Sequence, residues 1–308
     1  MGHVIEVNGL TKRYGDVLAV NDLSFTVRPG TVTGFLGPNG AGKSTTLRMI
    51  LGLNRPTAGT ATIDGRPFHR WQAGLHHVGA LLDAGDVHPG RSAAAHLSAL
   101  ARTNGLPRRR VREVLEEVGL AGAARRRVGG FSLGMRQRLG IATALLGDPP
   151  VLLFDEPVNG LDPEGVRWVR GLFKGLAAEG RTVLVSSHLM SEMENTADRL
   201  VVIGRGKLIA QESVAEFAAR GSRSRTHVTV RTPDPARLSA VLAPEGADVQ
   251  PAGQETLTVT GLTADRIGEL AFEHRIMLRE LAPRSASLEE AFMELTTDRA
   301  EYLAGDRR

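Results

Sequence analysis

The sequence predicts an α/β protein: a buried parallel sheet flanked by helices, with an antiparallel β segment before it, a helical insertion within it and a smaller α+β domain after it. Three observations carry this expectation. Val32 to Leu36, Val151 to Phe154 and Thr182 to Val185 are short apolar runs without polar alternation, the pattern of strands buried on both faces. Stretches of helical periodicity separate these runs, as parallel strands require. Beyond the polar stretch Gly221 to Arg225 the pattern changes to strand, helix, two strands, helix, strand, helix.

The elements follow in chain order. His3 to Val7 and Leu23 to Val27 alternate like half-buried strands, and Arg28-Pro29-Gly30 turns the chain into Val32 to Leu36. Ser44 to Leu51 opens like a helix, Thr60 to Ile63 is a strand closed by the Asp64-Gly65 turn, and His77 to Leu82 is a buried strand. From Ser92 to about Leu146 the periodicity is helical, including Val111 to Val118 and Met135 to Leu145. After Val151 to Phe154 come a helix over Gly165 to Ala178, the strand Thr182 to Val185, and a hairpin of Leu200 to Ile203 with Lys207 to Ala210 across Gly204-Arg205-Gly206. The helix Ser213 to Arg220 then leads into Gly221 to Arg225, where the boundary between domains 1–221 and 222–308 is placed. The second domain reads as strand His227 to Arg231, helix Pro235 to Leu242, strands Asp248 to Gln250 and Thr256 to Thr260, helix Ala264 to His274, strand Met277 to Leu281 and helix Ser287 to Leu295. That order is of ferredoxin-like type. In the last helix Leu288, Phe292 and Leu295 share an apolar face, and Glu289, Glu290 and Glu294 a polar one.

Composition narrows the class. With 42% hydrophobic and 23% charged residues, the 308-residue chain is ordinary for a protein with a proper core. No run approaches the roughly 18 apolar residues that span a bilayer; Ala93 to Ala101 is interrupted by His96 and Ser98. His3 to Val7 reads as a strand rather than a signal peptide, and Glu6 stands where a myristoylation site needs Ser or Thr, so a cytoplasmic chain is expected. There is no cysteine, which excludes disulfides and thiolate metal sites. Net charge is +4, and Lys12, Lys43, Lys174 and Lys207 are the only lysines. The clusters Arg108 to Arg110 and Arg125 to Arg127 read as solvated helix faces. No aromatics interleave with them to stack nucleic-acid bases.

The run Gly37-Pro38-Asn39-Gly40-Ala41-Gly42-Lys43-Ser44 fits G-x-x-x-x-G-K-[ST] between an expected strand and helix, the context a phosphate-binding loop needs. Its backbone N–H groups converge on phosphate oxygens, Lys43 reaches the β and γ groups, and Ser44 ligates Mg²⁺. Asp155 ends an apolar strand where a carboxylate can hold the Mg²⁺ shell. Glu156, next to it, can polarise a water for attack on the γ-phosphate. An isolated Asp-Glu pair is more often a solvated strand end, but the preceding Val-Leu-Leu-Phe and following Pro157 favour the site.

Downstream stand Phe131-Ser132-Leu133-Gly134-Met135-Arg136-Gln137-Arg138, Val151 to Pro157, Asn159-Gly160-Leu161-Asp162 and Ser186-Ser187-His188. With Gly37 to Ser44 this ordered set resembles the ATP-binding-cassette (ABC) ATPases over about residues 3–220. Those proteins follow their Walker A loop with a signature motif, Walker B, a D-loop and a switch histidine. The resemblance implies a P-loop domain with a RecA-like core, an antiparallel β subdomain and a helical subdomain. It also implies ATP and Mg²⁺ as ligands, Glu156 as general base, and Lys43 and His188 on the γ-phosphate. Thr45 beside the loop and Asp162 in the D-loop join the nucleotide contacts, and Tyr14 resembles the aromatic that stacks on adenine. Packing of Tyr14 at a strand edge is the competing reading. Ser132 and Gly134 would serve the nucleotide of a second subunit, expected to be an identical copy; Ser132 also reads as a helix N-cap, and the two roles are compatible.

The chain departs from the common pattern at Leu133 and Met135. It also carries Asp83 where the family has its Q-loop glutamine, and Asp83 offers an oxygen to Mg²⁺ or water instead. These features, with Gly160 to Pro163 and the terminal Ser287 to Leu295, resemble ABC-2 type antibiotic and drug exporters, whose membrane-spanning permease is a separate polypeptide. The implied protein hydrolyses ATP on the cytoplasmic face of the membrane and powers export of a hydrophobic or antibiotic-like compound. Asp83 to Leu97 would face the permease, and residues 222–308 would stabilise or regulate the dimer. A soluble cassette acting on ribosomes or DNA is the alternative. Against it, there is one Walker A loop rather than two, and only residues 45–130 separate it from the signature, too few for long coiled coils. A GTP switch would need an N-K-x-D motif, which is absent.

Overall fold

The computed structural model describes residues 2–225 and 227–284. The chain divides into two compact units, Met1–Val214 and Ala215–Arg308.

In the first unit β1 (Ile5–Tyr14) and β2 (Val17–Val27) form a hairpin, followed by β3 (Val32–Leu36), α1 (Lys43–Ile50), β4 (Ala58–Ile63) and β5 (Val78–Leu81). The helical stretch resolves into α2 (Ala93–Thr103), α3 (Arg109–Glu117) and α4 (Leu133–Leu145). Then come β6 (Val151–Asp155), α5 (Pro163–Ala178), β7 (Thr182–Ser187), the short α6 (Met190–Glu194), β8 (Arg199–Gly204) and β9 (Lys207–Ser213), with α7 (Val214–Arg225) crossing the boundary. β2-β1-β4 is an antiparallel sheet. The larger sheet runs β5-β6-β7-β3-β8-β9, parallel except for the β8–β9 hairpin.

Local chemistry explains the main boundaries. β3 and β7 are buried at every position and β6 at all but Asp155, as expected of strands covered on both faces. α5 starts where Asp162 Oδ1 accepts the Gly165 N–H at 2.8 Å and Pro163 occupies the first turn. Its buried stripe, Gly165, Val169, Phe173, Leu176 and Ala177, recurs at helical spacing and brings Phe173 to 4.5 Å from Phe154, ring centroid to centroid. α4 buries residues around much of its circumference, Gln137 among them, and is an internal helix. The inner face of the three-stranded sheet (Ile5, Val7, Leu23, Phe25) joins Leu47 and Ile50 of α1 and Phe35, Leu153 and Val201 of the larger sheet in one core. Each large side chain fully buried there contributes roughly 1.5–3 kcal/mol.

Three expectations are corrected. β1 and β2 run further than His3 to Val7 and Leu23 to Val27, because register shifts between Val7 and Arg13 break the two-residue alternation while pairing continues. The stretch Gly221 to Arg225 is the last part of α7 rather than a loop; one helical glycine costs only about 1 kcal/mol. The last strand is β13 (Glu280–Arg284), three residues beyond Met277 to Leu281. Pro283, which argues against a strand from sequence, lies on an edge strand, where a missing N–H is tolerated.

The second unit contains β10 (His227–Arg231), α8 (Pro235–Leu242), β11 (Asp248–Pro251), β12 (Thr256–Thr260) and α9 (Ala264–Glu273) before β13. Its antiparallel sheet, ordered β11-β12-β10-β13, is that of a ferredoxin-like fold. Val228, Val230, Leu257 and Val259 pack there against Leu238 and Leu242 of α8 and Ile267 and Leu270 of α9. The expected helix Ser287 to Leu295 lies outside the described residues.

Candidate active site

The site forms at the carboxyl ends of β3, β7 and β6, adjacent and parallel in the larger sheet. Register makes these ends level: Leu36 pairs with Ser187, and Asp155 with Ser186. The residues that follow each strand, Gly37 onward, His188 and Glu156, therefore converge on one crevice, where open α/β sheets bind ligands.

The loop Gly37 to Ser44 leaves β3 and enters α1 through Gly42, whose φ of 102° is left-handed. A Cβ at Gly42 would stand 2.5 Å from the Ala19 carbonyl oxygen, so glycine is required twice over. Pro38, Asn39, Gly40 and Ser44 are exposed, whereas Gly37, Ala41 and Gly42 are buried and Thr45 is half-buried. No side chain caps α1, so its first-turn amides face the crevice as donors for an anion. Lys43 is buried, and its ammonium donates to the carbonyls of Gly37 at 2.7 Å and Pro38 at 3.4 Å.

Lys43 Nζ also lies 3.5 Å from Glu156 Oε1, and Glu156 Oε2 accepts from His188 Nδ1 at 2.8 Å. Lys43, Glu156 and His188 are thus brought together. Asp155 Oδ1 accepts the Ser186 hydroxyl, whose oxygen in turn accepts the Glu156 N–H at 3.1 Å. Ser187 donates to Glu192 of α6 at 2.8 Å. Burial, and next the negative charge of Glu156, raise the Glu192 carboxyl above its ordinary pKa; the Ser187 hydroxyl, His188 and Arg170 oppose the rise.

The other expected residues are placed elsewhere. Ser132 caps α4 by accepting the Met135 N–H at 3.2 Å. A Cβ on Gly134 would lie 3.2 Å from the Gly160 carbonyl oxygen, so the start of α4 adjoins the turn that carries Asp162. Asp162 itself is committed to capping α5. Tyr14 ends β1 and is 47% exposed, not packed away; its hydroxyl accepts from Asn54 Nδ2 at 2.8 Å, and Lys12 Nζ stands 4.8 Å from its ring centroid. Asp83 is exposed in a turn closed by the Gly85 N–H on Oδ1 at 2.7 Å. It lines a groove of about 330 Å³ with His96, Leu100, Gly140 and Thr143. Desolvation, and next the charge of Arg91, lower the pKa of His96.

Two residues have roles that the motifs containing them do not indicate. Ser186 links Asp155 to the Glu156 backbone, a role signalled only by its polarity beside the Asp155 strand. Gln137, 4% exposed, donates Nε2–H to the Glu156 carbonyl at 2.9 Å; it is the one polar side chain among the buried residues of α4. Among the described residues no cluster of three or more His, Cys, Asp or Glu could hold a metal ion. No helix there is long and apolar enough to cross a membrane.

A family model described as "ABC transporter" matches residues 20–159, and one described as "Domain of unknown function (DUF8746)" matches residues 226–289. The chain is 37% identical to the "Uncharacterized ABC transporter ATP-binding protein YhcH" of Bacillus subtilis, over 98% of each chain. It is 42% identical to the "Bacitracin transport ATP-binding protein BcrA" of Bacillus licheniformis, over 68% of this chain and 70% of that one. With the "Nod factor export ATP-binding protein I" of Ralstonia nicotianae it shares 36% identity over 95% and 94%. Among solved structures, an ATP-binding subunit of an ABC transporter superposes with a TM-score of 0.65 at 27% identity, covering 70% of this chain and 92% of that one. The dimeric cassette MJ0796 superposes at 0.63 over 68% and 98%; at 24% identity it supports the fold.

Proposed function

We propose, from the premise that this chain belongs to the ABC transporter ATP-binding proteins and is an ATP-hydrolysing enzyme, that it is the motor subunit of an exporter with a separate membrane permease. The observation that carries the proposal is Glu156 held between Lys43 and His188 beside the phosphate loop. In this reading the loop amides and Lys43 take the β and γ phosphates of ATP, which draws the ammonium from its carbonyl partners. Glu156 accepts the proton of the attacking water, and His188 orients the carboxylate.

The donors present fit Mg²⁺. Asp155 has one oxygen engaged by Ser186 and the other available, and Ser44 is an exposed hydroxyl at the start of α1. A site without a cluster of three or more acidic or imidazole ligands among the described residues suits an ion that keeps waters and phosphate oxygens in its shell. When bound, Mg²⁺ neutralises charge on the phosphates. Asp83 is the second carboxylate proposed to reach that shell, directly or through water.

Ser132 and Gly134 act in this proposal on nucleotide held by a second, identical copy, Asp162 joins the nucleotide contacts, and Tyr14 stacks on adenine. ATP closes the pair, and loss of the γ-phosphate lets it reopen. The groove at Asp83 and His96 receives the permease on the cytoplasmic face of the membrane, and residues 222–308 stabilise the closed pair. BcrA and the Nod factor proteins are named for transport or export, which supports a hydrophobic or antibiotic-like cargo over a ribosomal or DNA substrate.

The test is ATP turnover by the full-length chain and its E156Q variant. Loss of the base lowers turnover about 10²- to 10⁴-fold with ATP binding kept. Unchanged turnover would remove Glu156 from the mechanism.

A further inference from the structure

We propose that Gln137 is a positioning residue for hydrolysis: its side-chain amide holds the peptide of Glu156 and ties the base to the helix that carries Ser132. The inference rests on the assignment of Glu156 as base.

Glu156 has a φ of 48°, in the left-handed region that a non-glycine residue keeps only where its surroundings hold it. Three hydrogen bonds do so. The Ser186 hydroxyl accepts its N–H at 3.1 Å, and its carbonyl accepts the Asn159 N–H at 3.3 Å and Gln137 Nε2–H at 2.9 Å. Ser186 lies on the neighbouring strand β7 and Asn159 in the same turn as Glu156; Gln137 alone reaches the peptide from α4.

Rotation of that peptide swings the Glu156 side chain away from His188 and Lys43, so the carbonyl bond acts directly on the direction of the carboxylate. Gln137 is 4% exposed, so an unpaired amide there would carry its full desolvation penalty, and the bond has little freedom to break and re-form with water. It sits five residues after Ser132 on one helix, about 7 Å along its axis. A displacement of the start of α4, where the second copy's nucleotide would press, is therefore carried by a rigid element to the peptide of the base. The bland account is a satisfied core amide that contributes only to stability, and the two accounts separate in kinetics.

The test compares steady-state ATP hydrolysis, ATP affinity and unfolding midpoint for the full-length chain and the Q137M, Q137E and E156Q variants. Q137M keeps the length of the side chain and removes the donor. Q137E keeps the shape and polarity and turns an acceptor toward the carbonyl, and it decides the matter should Q137M fail to fold. Loss of one well-formed hydrogen bond from the transition state is expected to lower kcat about tenfold, with KM and ATP affinity within about twofold of the parent. A kcat within about twofold of the parent overturns the proposal, and so does a parallel loss of kcat and ATP affinity, which is what a loosened core produces. If E156Q is inactive while the Gln137 variants turn over normally, this inference alone falls. If E156Q turns over normally, the base assignment falls and this inference with it.

Discussion

At the scale of residues, the site is a set of side chains each held by a neighbour of complementary chemistry. Lys43 is the only cation bonded to the phosphate-loop carbonyls among the described residues, and Glu156 bridges it to His188. Glu192 shows how burial around this cluster is felt. Its folded-state pKa is raised, first by desolvation and next by Glu156, so the fold favours the neutral acid. That contribution is fully present below the unfolded carboxyl value and is lost as pH rises through the raised folded value. E192Q, which needs no deprotonation and still accepts the Ser187 hydroxyl, is expected to gain in unfolding midpoint relative to the parent as pH rises above the ordinary carboxyl value. A difference that does not change with pH would contradict this account. Lys43, Glu156 and His188, which the structure brings together, can be picked out from sequence because each sits at a fixed place in a motif. Gln137, Ser186 and Glu192 cannot, since their roles depend on which strand lies beside which, and that is decided by sheet order and register.

At the scale of elements, the turn into α1 carries the most specific demand. Gly42 combines a φ of 102° with a position 2.5 Å, at an added Cβ, from the Ala19 carbonyl. G42A is expected to lose about 2–4 kcal/mol in denaturant unfolding, from left-handed strain and overpacking together. It should also weaken ATP binding, because the loop amides must turn to relieve the clash; a loss under about 0.5 kcal/mol would mean that the loop adapts. Elements with pure apolar runs or plain helical stripes, such as β3, β6 and α5, were readable because their pattern and their burial are the same fact. β1 and β2 run beyond the expected strands because register shifts hide continued pairing, and β13 lies beyond the expected strand because its proline is harmless only at an edge. Edge position is a property of the assembled sheet and not of the segment.

At the scale of the molecule, the first unit brings the phosphate loop, Asp155, Glu156 and His188 to the carboxyl ends of three adjacent interior strands, while Gly134, at the start of the helix that Ser132 caps, adjoins the turn that carries Asp162. In the proposed mechanism this division is the reason for pairing: one copy supplies the base and phosphate loop, and the other supplies the signature. The ferredoxin-like second unit has its own core and is proposed to strengthen that pair. Deleting residues 222–308 should therefore weaken pairing more than ATP affinity, as read by sedimentation against nucleotide titration. The central claim is that ATP is enclosed between two copies of this chain, and sedimentation of full-length E156Q, which binds ATP without consuming it, tests it most directly. With Mg²⁺ and ATP the account predicts a shift from the 32.9 kDa chain to a species of twice that mass, reversed on removing ATP. A single 32.9 kDa species with ATP bound would contradict it.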